Sequence, residues 1–234
     1  MKRMRRMRRL LSMLLVCCMF FSLVPVTAMA VSVVGSGTCG TNVTWSLTSD
    51  GVLTISGTGA MTDIPPYAQS ETVTLVDPPQ PWQSSRNKIY SVVITEGVTS
   101  IANYAFYDCK YLKSITIPGS VKRIGESAFK SCSLTSVTLP EGITTIRDGA
   151  FKFCKSLTNI TIPATVTYIG SHVFDYCSSL KTVSVAEDNT VYASLTGVLF
   201  NKKMTTLIFC PVSKTGDYTV PEIRYNKLRK LKKG

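Results

Sequence analysis

Four cysteines, Cys109, Cys132, Cys154 and Cys177, recur at intervals of 23, 22 and 23 residues. Cysteine sulfur binds soft metals and attacks electrophiles, so a regular set of thiols is the first place to look for chemistry. A zinc site needs closely spaced pairs such as C-x-x-C, because four sulfurs must converge on one ion. Thiols separated by a whole repeat fall in a row instead. That spacing predicts core-filling thiols, no metal and no cofactor. Cys39 and Cys210 stand alone, and their spacing does not say whether they pair. His172 is the single histidine, so any Ser-His-Asp or Cys-His arrangement would have to use it. It shares a repeat position with Tyr104, Ser127 and Gly149, which reads as a surface filler and not a base. Glu187-Asp188 is a turn-like acidic pair without calcium-loop spacing, and no glycine-rich phosphate loop occurs. The chain is not expected to be an enzyme.

The charge balance excludes another class. The 234 residues carry 26 Lys+Arg against 14 Asp+Glu. Six of the basic groups lie in residues 1–30 and six more in 224–234, neither stretch holding an acid. The body between them is neutral, which does not fit a nucleic-acid surface. The basic tail, 222–234, reads as a solvated end, with contact to anionic cell-wall polymers or lipid headgroups as the alternative. At the other end, basic Met1–Arg9, apolar Leu10–Val24, Pro25 and Ala28-Met29-Ala30 read as a signal peptide over 1–30 with an A-x-A cleavage site. The apolar run falls short of the roughly 20 residues that span a bilayer. The expected protein is therefore secreted or held at the cell surface, with no integral membrane segment after cleavage.

The elements that position these residues follow from an internal repeat. Phe106, Phe129, Phe151 and Phe174 each precede one of the four cysteines by three residues. Leu112, Leu134, Leu157 and Leu180 come next, then the pairs Ile115/Ile117, Val137/Leu139, Ile160/Ile162 and Val183/Val185. Pro118, Pro140 and Pro163 close three of these segments. In Ser114-Ile115-Thr116-Ile117 the alternation has period two, so the isoleucines face inward and the hydroxyls outward. One such strand cannot bury its apolar face alone. Coils stacked about 4.8 Å apart build a parallel sheet and a continuous core. Cys132-Ser133-Leu134 is one residue shorter than Cys109-Lys110-Tyr111-Leu112, and the missing residue falls before the strand. The predicted fold is mainly β: a solenoid of 22–23-residue coils over 89–221, a β-hairpin module over 31–60 and a proline-rich connecting loop over 61–88.

The unit L-x-x-I-x-I-P-x-x-V-x-x-I-G-x-x-A-F-x-x-C resembles the leucine-rich repeats of bacterial BspA-like surface proteins. The Asn/Cys position of leucine-rich repeats is held here by Ser120, Gly142 and Thr165, which departs from the general pattern. The hairpin module, with its turn at Ser49-Asp50-Gly51, resembles the segment that precedes the repeats in this family. Asp188-Asn189-Thr190, Gly197–Phe200, Leu207–Pro211 and Tyr218–Pro221 resemble an elongated repeat of the same proteins. After Pro221, Ile223, Leu228 and Leu231 either line a short capping helix or belong to a frayed end. The resemblance implies an adhesin-like scaffold that binds host matrix or other cells.

What the residues themselves leave for function is a surface. The outward strand positions are Ser114, Thr116, Ser136, Thr138, Asn159, Thr161, Thr182 and Ser184, preceded by Ser91 and Val93. This uncharged stripe is either ordinary exposed-sheet composition or a docking strip for an extended protein partner. A carbohydrate- or mucin-binding module is the alternative, weakened because the strip positions hold no aromatic ring. A monomer is expected, with no nucleic-acid partner.

Overall fold

The computed structural model describes residues 30–63 and 80–212. The expected signal peptide up to Met29, the tail 222–234, the segment 218–221 and four of the five loop prolines (Pro65, Pro66, Pro78 and Pro79) lie outside them. Among the described residues the chain forms β1 (Val33–Gly40), β2 (Val43–Thr48), β3 (Val52–Gly57), β4 (Gly59–Ala60), a 3-10 helix (Gln83–Lys88), β5 (Ser91–Ile94), β6 (Val98–Ile101), β7 (Ser114–Thr116) and β8 (Arg123–Ile124). Then follow β9 (Ser136–Val137), β10 (Thr145–Ile146), β11 (Asn159–Ile162), β12 (Tyr168–Ile169), β13 (Thr182–Val185), β14 (Tyr192–Leu195), β15 (Val198–Asn201) and β16 (Leu207–Phe209).

Each coil has three sides. The hydroxyl-bearing strands β3, β5 and β7 pair in parallel on the first side, as do β9, β11 and β13. The second side is one parallel ladder of β4, β6, β8, β10 and β12. On the first side the ladder lapses between β7 and β9, at the coil shortened at Ser133. The facing survives: Val137 and Leu139 are buried while Ser136 and Thr138 are exposed. Ser133 donates its hydroxyl to the Lys110 carbonyl across the gap, at 2.6 Å.

The third side is the A-F-x-x-C turn. Alternate amides bond to the next coil: Tyr104 to Glu126, Phe106 to Ala128 and Asp108 to Lys130, at 2.7–2.9 Å. Residues two before and two after each phenylalanine are left-handed, from Tyr104 (φ 57°) and Asp108 (φ 58°) to His172 (φ 58°) and Tyr176 (φ 60°). These two reversals wrap the chain around the ring. The His172 position is therefore constrained, not indifferent: Tyr, Ser, Gly and His all lack the β-branch that a positive φ penalises.

Inside, the rings form one stack. Phe106, Phe129, Phe151 and Phe174 lie face to face at centroid distances of 5.4, 5.3 and 6.0 Å. Trp82 adds a rung at 5.7 Å from Phe106, and Trp45 meets Trp82 edge-on at 5.8 Å. The C-terminal end of the expected loop 61–88 thus holds core: Trp82 is buried, and its indole N–H donates to the Ala105 carbonyl at 3.0 Å.

The ends are built differently from the middle. The N-terminal module is a three-stranded antiparallel meander, one strand more than a hairpin. Sequence alternation does not reveal β1 because the indole of Trp45 lies over its Gly35 and Gly37, where any Cβ would crowd the ring. Strand β3 then pairs with β5 in parallel, so the module extends the solenoid's sheet. At the other end the antiparallel sheet β14–β15–β16 meets β13, with the Val183 amide donating to the Gly197 carbonyl at 3.0 Å.

Candidate functional site

The strip lies where the alternation puts it. Ser114, Thr116, Ser136, Thr138, Asn159 and Thr161 are exposed, while Thr182 and Ser184 are half-buried beside the β14–β15 hairpin. Ser91 aligns with Ser114 and Val93 with Thr116; Ser136, Asn159 and Thr182 form one row, Thr161 and Ser184 another. Asn159 donates to the Thr158 hydroxyl at 3.2 Å. The hydroxyls of Ser114, Thr116, Ser136, Thr138 and Thr161 make no hydrogen bond with the described residues, and so face solvent with donors and acceptors unspent.

One element of this face is not legible in the stripe. Tyr90 and Tyr111, each about half exposed (49% and 50%), meet edge to face at 6.0 Å beside β5 and β7. Tyr90 directly precedes β5 while Tyr111 lies three residues before β7, so the two occupy different positions of the repeat and only the folded coils bring them together. They supply the exposed aromatic rings that the strip positions themselves lack.

The cysteines sit in the core. Cys109, Cys132, Cys154 and Cys177 are buried, as are Leu112, Leu134, Leu157 and Leu180. Each of the last three cysteines donates its S–H to the carbonyl of the preceding coil's phenylalanine: Cys132 to Phe106, Cys154 to Phe129 and Cys177 to Phe151, at 3.0–3.1 Å. The residue type follows from that geometry: a small side chain that fills the core and still satisfies a buried carbonyl. Cys39 is a buried free thiol and Cys210 an exposed one. Burial pushes the thiols of Cys109 and Cys177 up to about 12, and that of Cys39 to about 11, from an ordinary value of 9.0. Cys132 and Cys154 rise as well, again mainly by burial.

Two outcomes are expected. At pH 8 an alkylating reagent should label Cys210 in the folded protein and all six described cysteines in urea, read by peptide mass spectrometry. Labelling of the Cys109–Cys177 set at the Cys210 rate would contradict the packing. The folded thiols also hold their protons above the value at which unfolded thiols ionise. Their contribution is thus complete below about pH 9 and lost as pH rises toward about 12, so thermal midpoints should fall over that window.

His172 is exposed, with Nδ1 2.7 Å from the Asp175 carboxylate. No serine or cysteine hydrogen-bonds to its ring among the described residues, so the pair is a surface contact. Among the described residues no three His, Cys, Asp or Glu side chains are grouped to hold a metal, and no helix is long and apolar enough to cross a membrane.

The Asn/Cys position of the repeat is occupied functionally even where asparagine is missing. Ser120 donates to the Val98 carbonyl at 2.8 Å and Thr165 to the Ile143 carbonyl at 2.6 Å. Asn189 does the same to Val166 at 3.0 Å. Gly142 has no side chain there because the Gly119 carbonyl occupies the place of a Cβ.

The family model of the BspA type leucine rich repeat region matches residues 83–203, in six copies. The chain belongs to the BspA-type leucine-rich-repeat family. A BspA-type chain of this kind is similar to a crystal structure of a leucine-rich repeat protein from Eubacterium ventriosum. The two share 29% identity with a TM-score of 0.61, over 78% of this chain and 52% of that one. It is also similar to the pneumococcal vaccine antigen PcpA, at 21% identity and a TM-score of 0.50 over 82% and 59% of the two chains. A leucine-rich repeat protein from Bacteroides ovatus is 32% identical over 61% of this chain and 39% of its own, with a TM-score of 0.43. The BspA-type chain thus spans about half the length of the first of these and under two thirds of the second. No curated protein matches it in sequence. BspA-type repeats are scaffolds for interaction, and proteins built from them are generally not enzymes.

Proposed function

We propose that this chain is an exported, non-catalytic, adhesin-like scaffold that docks a protein partner on the strip of Ser114, Thr116, Ser136, Thr138, Asn159 and Thr161. The observation that carries the reading is the strip itself: six exposed polar side chains with no charge, five of them hydroxyls without a partner among the described residues. A buried row of this kind would be costly, and an exposed one on parallel strands offers a binder evenly spaced donors and acceptors. The leader-like residues 1–30 support export to the cell surface or beyond it. The partner class is a host matrix or cell-surface protein.

Glycan binding is the second reading, and the exposed Tyr90–Tyr111 pair favours it, since sugar rings stack on aromatic faces. Thr116→Lys, Thr138→Lys and Thr161→Lys together should abolish capture of immobilised matrix proteins by surface plasmon resonance and leave the melting curve unchanged. The new charges repel one another and oppose an uncharged partner surface, while the core loses nothing. Thr167→Lys, exposed on the second side, is the control. Capture that survives the triple variant sinks the strip. Loss only in Tyr90→Ala with Tyr111→Ala, together with binding to mucin glycans on an array, would favour the glycan reading.

A further inference from the structure

The two margins of the strip carry opposite charge. Lys113 and Lys181 lie directly before β7 and β13, both exposed and neither with a carboxylate partner among the described residues. Lys113 and Lys181 stand in one column of the stack, tied by backbone bonds from Lys113 to Tyr90 and from Lys181 to Thr158. Glu96, Glu141 and Glu187 follow the other ends of the strands in alternate coils, and all three are exposed. Glu96 accepts the amides of Gly119 and Ser120 one coil on, and Glu141 accepts that of Ala164. These bonds fix both carboxylates at the margin without cancelling their charge. A positive rail of two lysines three coils apart and a negative rail of glutamates in alternate coils therefore run along the solenoid axis with the hydroxyl strip between them.

The dimensions select what fits. Alternate coils put successive glutamates about 9.6 Å apart along the axis. In a helix that distance is close to seven residues, about 10.5 Å, and residues seven apart share one flank. In an extended strand it is about three residues, whose side chains point to opposite faces, so a strand cannot present consecutive cations to the rail. The rails are about six residues apart across a strand, roughly 20 Å, too wide for one extended chain. A helix about 10–12 Å across, with long charged side chains on both flanks, spans it.

We infer that the strip takes a single α-helix of its protein partner, laid along the solenoid axis with basic residues seven apart over the glutamates and acidic residues over the lysines. This rests on the docking strip proposed above and names its occupant. Because the two rails differ in sign, they also fix the direction in which the helix lies.

The test uses synthetic peptides as probes. One is an alanine-based helix with lysines seven apart on one flank, glutamates on the other and glutamine between. The second has the same composition with both signs mixed on both flanks. By fluorescence anisotropy at low salt, the two-flank peptide should bind at least about tenfold more tightly, and the margin should shrink with added salt. Lys113→Glu with Lys181→Glu should remove the preference. Glu96→Gln with Glu141→Gln should reduce it; glutamine's one accepting oxygen keeps the Ala164 contact at 141 and one of the two amide contacts at 96. Equal binding of the two peptides overturns the inference. If that occurs while Thr116→Lys, Thr138→Lys and Thr161→Lys still abolish matrix-protein capture, the strip stands and only its helical occupant falls. If the triple variant also leaves capture intact, both fall.

Discussion

Replacing Phe129 with alanine is expected to lower unfolding free energy by about 3–5 kcal/mol, the cost of a large buried ring and the cavity it leaves. Phe129 is fully buried and touches a ring on each side, at 5.4 and 5.3 Å, nearly parallel to both. The coils above and below are held apart by their own backbone ladders, so they cannot collapse into the gap. Phe174 should cost less: its outward neighbour, Phe209, is tilted by 57° in the less buried β16 sheet. Lys130 would be a poor control, since its ammonium sits 5.3 Å from the Tyr107 ring. Lys122, exposed on the second side, should change stability by less than about 0.5 kcal/mol when truncated. Equal urea midpoints for Phe129→Ala and Lys122→Ala would show that the stack is not what holds the coils together.

The parts of this fold that the sequence announces are those repeated in every coil. Phe106, Cys109, Leu112 and their copies could be placed inside, and Thr116 and its copies outside, because period-two alternation and a fixed repeat length leave one consistent facing. What the pattern hides is what happens once. Trp82 fills the ring position of the first coil under a different residue type, ahead of a 3-10 helix, and so reads as part of a proline-rich loop. Strand β1 shows no alternation because its glycines make room for Trp45. The strip was legible, yet Tyr90 and Tyr111 beside it were not, since they belong to no repeated position. The charged rails needed the stack: Glu96, Glu141 and Glu187 are far apart in sequence, and only superposed coils bring them into one row. Function follows the same division. The scaffold is written in the repeated residues, while any specificity must lie in the residues that differ between coils.

Asn189 is the unrepeated residue on which the second large effect should fall. Its side chain is fully buried and makes four hydrogen bonds. Nδ2 donates to the carbonyls of Pro163 and Val166, at 2.7 and 3.0 Å, and Oδ1 accepts the amides of Val191 and Tyr192, at 2.9 and 2.7 Å. One amide thus ties the fourth coil to the start of the antiparallel end sheet, and every donor and acceptor on it is used. Asn189→Ala leaves four backbone groups to find other partners, each costing about 1–3 kcal/mol if it stays buried and unpaired. Partial relaxation brings the expected loss to about 3–5 kcal/mol. Asn189→Asp is the sharper experiment because only one atom changes. The carboxylate keeps the acceptor for Val191 and Tyr192 but faces the two carbonyls with negative charge in place of donors. Burial raises such a carboxyl group above its unfolded value of about 4, so the variant's stability is best preserved below that value and declines as pH rises. Its thermal midpoint should therefore approach that of the parent protein near pH 4 and fall well below it at pH 7. A constant difference between the two proteins from pH 4 to 7 would mean that the amide donors of Asn189 carry little of the junction between solenoid and end sheet.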